Sequence, residues 1–278
     1  MLITILLILS LPAIVVIFMS IKMGYKYRKS VFGKRMVTDR YRMIPMEGNL
    51  AASCYILTYA HRLMASHVSD RLIGTCLIRW ITEGKVKVLQ DPASPGVLRL
   101  SFEQDFPCSE TLEKDISEKL LAACGHDRIL DNGELEAHSR EAYKEFTGLD
   151  SHVESLGRRW LIAHHYMTTK RNIVQTEAGK EEACRLIGLR NYLQDILDGK
   201  ETTLDETLLK DYLVFGSLFG FSTRLTPCVA RQFAPEFSRL AASLGLDADT
   251  LLVAINYAGR LSSSAIKNAK EGLATDGR

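Results

Sequence analysis

Residues 2–21 contain no acidic or basic side chain. No two cysteines are spaced as Cys-x-x-Cys, and no glycine-rich loop of the phosphate-cradling kind occurs in the 278 residues. Each absence excludes something. The cysteines at 54, 76, 108, 124, 184 and 228 are scattered, which argues against a zinc ribbon or a dithiol redox pair. Without the glycine loop there is no sign of a Walker-type nucleotide site. No catalytic motif stands out, so the chain is not expected to be an enzyme, and no cofactor or metal is expected.

The uncharged run 2–21 is 20 residues long. About 20 apolar residues, rising about 1.5 Å each, cross a bilayer core. A cleaved signal peptide is the rival reading. It calls for a charged start, a shorter apolar stretch and a small-x-small cleavage site; the segment 18–22 offers no Ala-x-Ala. The run is therefore expected to be a retained transmembrane helix. Lys22, Lys26, Arg28, Lys29, Lys34, Arg35, Arg40 and Arg42 follow it against one acid, Asp39, and no base other than the amino terminus precedes it. The positive-inside rule then places the body in the cytoplasm, on a single-pass inner-membrane protein. The bases Lys22, Lys26, Arg28, Lys29, Lys34 and Arg35 are the candidate contacts to anionic lipid head groups, or simply hold the topology.

Net charge is +2, but once the eight bases and one acid of 22–42 are set aside the rest carries −5. A mildly acidic body weakens any nucleic-acid reading. Cys54, Cys76, Cys124 and Cys184 fall within apolar helical patterns and read as small core residues.

Apolar spacing predicts a helix over 50–64 and another over 69–83, with Leu72, Cys76 and Trp80 on one stripe. Gly84 stops the second helix. Residues 85–89 and 97–102 alternate like strands around a Pro/Gly turn. Two helices followed by a hairpin is the layout of a winged helix. A similar unit is expected next. Helices over 109–124 and 134–146 are followed by one opened by the capping box Ser151–Glu154, with Val153, Leu156, Trp160 and Ala163 on a stripe. A short hairpin then turns at Lys170 and Arg171. The last hundred residues read as all-helical: Thr176 caps one helix, Thr203 and Glu206 box a second, Pro227 opens a third, and 249–270 is a fourth. The uncharged run 212–223 is too short to span and reads as a buried helix, a helix lying on the membrane surface being the alternative.

The segments LIGTCLIRWITEGKVKVL at 72–89, TEAGKEEACRLIGLRNYL at 176–193 and DYLVFGSLFGF at 211–221 resemble the YciQ-like group of bacterial membrane proteins of unknown function. The likeness covers roughly 45–240 and rests on packing and turn residues. It implies a cytoplasmic module. Members of that group begin with an exported β-rich domain, which has no counterpart here. A protein partner is expected, one that could supply such a domain. The resemblance carries no catalytic residue.

Other constellations have plainer readings. His164 and His165, with His152, His126 and Cys108, suggest a metal site, but adjacent helical residues point about 100° apart. Ser262, Ser263, Ser264 and Lys267 suggest a serine–lysine pair, but nothing supplies an oxyanion site. Gly216 and Gly220 suggest close helix approach, in a membrane or in a bundle. As recognition helices, 69–83 offers only Arg71 and Arg79, and 151–165 only Arg158 and Arg159, with wing bases Lys85, Lys87, Lys170 and Arg171.

The expected fold is α+β and mostly helical. Its parts are a transmembrane anchor (1–21), a basic linker (22–44), winged-helix-like units (45–106 and 107–178) and a helical bundle (179–278). The expected function is a membrane-anchored, non-enzymatic protein–protein interaction or scaffold module. A membrane-tethered winged-helix transcription regulator is the alternative, with nucleic acid not expected as a partner.

Overall fold

The computed structural model describes residues 39–60, 68–91, 94–103, 106, 108, 110–168 and 175–276, together with Met19. In chain order the elements are α1 (Leu50–Ala60), α2 (Leu72–Thr82), β1 (Val86–Asp91), β2 (Ser94–Phe102), α3 (Thr111–Cys124) and β3 (Ile129–Leu130). They continue with α4 (Asn132–Glu141), α5 (Tyr143–Thr147), α6 (Leu149–Ala163) and α7 (Glu177–Leu197). The chain closes with α8 (Leu209–Leu218), α9 (Ser222–Gln232), α10 (Ala234–Ser243) and α11 (Ala248–Asp276).

Helix α2 is the centre. Its sequence is apolar on every side, and a helix of that kind belongs inside; all eleven residues are buried. Helices α8 and α11 and strand β1 pack around it. Gly74 admits α11: a Cβ there would stand 2.9 Å from the Ala258 carbonyl oxygen. The one charge on α2 that is fully enclosed, Arg79, is matched. Its Nη1 donates to Glu113 Oε1 of α3 at 2.7 Å and its Nη2 to the Gly48 carbonyl at 2.7 Å. Trp80 Nε1 donates to the second oxygen of Glu113 at 2.9 Å. Burial pulls the Arg79 pKa down, but the carboxylate of Glu113 outweighs it and the guanidinium ends above its ordinary value.

The hairpin β1–β2 forms as expected, antiparallel, with an irregularity at Gln90 and Asp91. Val86, Leu100 and Phe102 point into the core, and Trp80 meets Phe102 edge-on at 6.3 Å. Strand β3, from the next segment, pairs with β2, so the hairpin is part of a three-stranded sheet ordered β1-β2-β3. Asp131 then opens α4 with a capping box: it accepts from Glu134 N–H at 2.8 Å, and Glu134 accepts from Asp131 N–H at 3.1 Å.

The fold class expected from sequence needs correcting. The molecule is mostly helical with one small sheet, but no described helix is long and apolar enough to cross a membrane. The transmembrane helix expected over 1–21 is therefore not supported by any described helix. Apart from Met19, residues 1–38 lie outside the described residues, and with them Lys22, Lys26, Arg28, Lys29, Lys34 and Arg35.

Nor do the described residues support the tandem winged-helix arrangement. β3 extends the first hairpin instead of starting a second unit. Among the described residues the second wing is one bridge, Met167 to Gln175, and Lys170 and Arg171 lie outside them. Nor do the last helices make a separate bundle. α11 packs along α2, α4 and α5, crossing the boundaries expected at 106/107 and 178/179.

Smaller differences have local causes. Ser151 does not cap: α6 starts earlier, after Gly148, and Ser151 Oγ donates to the Gly148 carbonyl at 3.0 Å. Pro227 lies inside α9, and it is Pro235 that occupies the first turn of α10. Residues 39–44, expected as the end of a linker, are docked. Arg40 pairs with Asp195, Arg42 Nη2 meets Glu201 at 3.0 Å, and Tyr212 Oη donates to the Arg42 carbonyl at 2.9 Å. Gly188 makes room for this strap, since a Cβ there would meet Tyr41 Cβ at 2.8 Å.

Candidate functional site

A helix that reads DNA must present its side chains to a groove. Helix α2 presents none, because it is buried along its whole length and Arg79 is bound to Glu113. The described wing bases are also paired: Lys85 with Glu83 at 2.7 Å and Lys87 with Glu103 at 3.2 Å. Arg158 and Arg159 on α6 are exposed, and so is Glu154 between them and Asp150. These helices form no continuous positive stripe.

The other expected constellations also come apart. His152 meets the carboxylate of Asp115, while His164 and His165 lie at the far end of α6. Among the described residues no three His, Cys, Asp or Glu groups gather as a metal site would require. Ser262 donates to the Asp70 carbonyl, Ser263 to the Gly259 carbonyl and Ser264 to Glu136, while Lys267 stands 3.9 Å from Glu271. Cys54, Cys76 and Cys124 are buried. Burial raises the Cys54 and Cys124 thiols to about 12, the wrong direction for a nucleophile. Gly216 is packed against Leu225, and Gly220, at φ +80°, ends α8 in a left-handed turn.

What the structure does assemble is an aromatic edge at the end of α6. Val153, Leu156, Gly157 and Leu161 turn inward onto α1. The contact is close: a Cβ on Gly157 would stand 2.3 Å from the Ala51 carbonyl oxygen. Trp160, expected on that inward stripe, instead sits at its margin, half-buried. The His164 ring stacks on it at 3.8 Å between centroids and 19° between planes. Tyr166 continues the row, 6.3 Å from His164 and also at 19°. Arg158 and Arg159, the two residues just before Trp160, are exposed.

The row is held from behind. His164 Nδ1 lies 2.9 Å from the Trp160 carbonyl, and His165 adopts φ +59°, which turns the chain. Tyr166 N–H and Met167 N–H both reach back to the Leu161 carbonyl, at 2.8 and 3.1 Å. Thr176 donates from Oγ1 to the His165 carbonyl at 2.9 Å and from its N–H to the Tyr166 carbonyl at 3.1 Å. The same threonine caps α7 by accepting from Gly179 N–H, and Gly179 lets the turn press against that helix. A turn clamped to the first turn of a 21-residue helix is a rigid mount for three rings.

Sequence reasoning passed over this row because Trp160 fits a helical apolar stripe as well as Leu161 does. The readable signal was Trp160, His164 and Tyr166 spaced by four and two, running past the helix end. No family model, no curated protein and no solved structure matches the chain.

Proposed function

We propose that this chain is a non-enzymatic protein–protein interaction module, with the Trp160–His164–Tyr166 row and Arg158 and Arg159 as its contact surface. The preformed row is the observation that carries the proposal. Trp, Tyr and Arg dominate binding hot spots because they bring large contact area and directed donors. Rings already stacked lose little conformational freedom on binding, which removes part of the cost of association. The burial of α2 supports this reading over DNA recognition.

The proposal places the module at the cytoplasmic face of a membrane, where Lys22, Lys26, Arg28, Lys29, Lys34 and Arg35 would meet anionic head groups at about 1 kcal/mol each. Kinship with the YciQ-like group, and a partner that supplies an exported domain, belong to the same proposal.

The test is crosslinking in cells followed by purification of the full chain, wild type against Trp160→Ala and Arg158→Ala/Arg159→Ala. The expected result is a stoichiometric partner held by the wild type and lost from both variants while their thermal unfolding stays cooperative. A partner retained equally by all three would place the contact elsewhere and overturn this assignment.

A further inference from the structure

A second feature shares no residue with the aromatic row. The start of α2, the turn between α8 and α9, and the middle of α11 enclose a cleft of about 300 Å³. Its polar wall is Arg71, Arg260, Ser222, Thr223 and Ser263, and no carboxylate lines it. Among the described residues neither arginine forms an ion pair. Arg71 is half-buried, and its one side-chain hydrogen bond among the described residues, from Nη1 to the Leu218 carbonyl, is long at 3.3 Å. The neighbouring carboxylate, Asp70, is engaged by Lys270 at 3.0 Å.

Arg190 of α7 adds to the imbalance. It lies over the Phe221 ring at 5.2 Å, half-buried and with no acidic partner among the described residues. Burial lowers the pKa of Arg71; Asp70 opposes this, and the nearby Arg190 charge lowers it further. Burial lowers Arg190 as well. Partly desolvated cations without a counter-ion are costly, and a bound anion removes that cost.

The backbone is shaped around the same guanidinium. Gly220 is at φ +80°, and a Cβ on it would stand 2.6 Å from Arg71 Cζ. Only glycine allows Arg71 to lie there. The adjoining cavity of about 550 Å³ is different in character, for its charges pair off as Lys270 with Asp70 and Lys267 with Glu271. The acid-free end is thus the place for an anion, and the larger cavity, which shares Arg71 and Ser263, gives room for what the anion is attached to.

We propose that the Arg71–Arg260 cleft binds a phosphate monoester. A dianion with three terminal oxygens matches two guanidiniums, and the hydroxyls of Ser222 and Thr223 can donate to those oxygens. The positive end of the α9 dipole favours the same charge. The volume is at the lower end of ligand pockets, about 300–1,000 Å³, and suits a small phosphorylated group.

Isothermal titration of the full chain with inorganic phosphate tests this, with acetate at equal ionic strength as comparator. Saturable phosphate binding is expected, at least about tenfold tighter than acetate, since charge-assisted bonds are the stronger ones. Affinity should fall as the pH is lowered and the phosphate dianion takes up a proton. Arg260→Gln changes an exposed side chain and should keep the fold while weakening binding at least about tenfold, the loss of one charged hydrogen bond. Arg71→Gln should do the same or more. Soluble short-chain phosphatidic acid separates the sources. Binding well above that of phosphate and sensitive to Arg260→Gln indicates a lipid head group; equal binding indicates a small metabolite; both support the site. Phosphate binding that is absent, no better than acetate, or unchanged in Arg260→Gln overturns it.

Discussion

Replacing Glu113 by glutamine should destabilise the protein by about 3–5 kcal/mol, the usual cost of leaving half of a buried ion pair behind. Glu113 is 2% exposed and Arg79 is 9% exposed. The carboxylate accepts from two fixed donors, Arg79 Nη1 and Trp80 Nε1. Glutamine has the same shape but only one acceptor oxygen. One donor would therefore face an NH2 group, and the guanidinium would stay charged in the core. Without the carboxylate, burial would pull the Arg79 pKa down with only weaker influences, such as the Glu110 charge, left to oppose it. For a chain of this size each kcal/mol lowers Tm by about 2–4 °C, so a drop of roughly 6–20 °C is expected. Urea titration followed by tryptophan fluorescence and circular dichroism gives the free energy directly. The companion variant, Arg79→Met with Glu113→Leu, should recover most of the loss, since an apolar pair of similar volume commonly replaces a buried ion pair at little cost. A loss below about 1 kcal/mol in Glu113→Gln is what a solvent-exposed bridge would give. It would mean that α2 and α3 are not locked as described.

Other consequences are as direct. Burial raises the Glu110 pKa above its ordinary 4.5, so its ionised form costs stability above the raised value and nothing below 4.5. Glu110→Gln should therefore raise Tm at pH 7.5, and the gain should vanish as the pH falls below 4.5. A gain that persists in acid would contradict the burial argument. Gly157→Ala would place a Cβ 2.3 Å from the Ala51 carbonyl oxygen, and it should cost about 1–3 kcal/mol despite alanine's better helix propensity. An increase in Tm would show that α1 and α6 are not in that contact. A fragment of residues 39–278 carries 29 bases against 33 acids and buries α2, so it should bind duplex DNA weakly even at low salt. Micromolar binding with a steep salt dependence would bring back the transcription-regulator alternative.

Local chemistry was legible from the chain alone. Glycine at 84, with φ +74°, ends α2 as its position suggested, and Thr176 caps α7 as its hydroxyl and spacing required. The alternation of 85–89 and 97–102 became a hairpin, and the apolar run 212–223 contributes buried residues of α8 and its flanking turns. These features depend on neighbours a few residues away. Where an apolar face goes is decided by what covers it, and spacing does not carry that information. Helix α2 looked like a recognition helix because its element order was right, and only the packing of α8 and α11, more than a hundred residues later, made it the core. Trp160 matched a core stripe, yet α1 covers just one side of α6, so the indole lies at the rim beside His164. The Arg71 cleft draws its wall from α2, α9 and α11, residues up to 192 positions apart in the chain. A two-residue strand such as β3 has no pattern of its own to read. It exists because β2 has a free edge beside it, and that edge is a property of the fold.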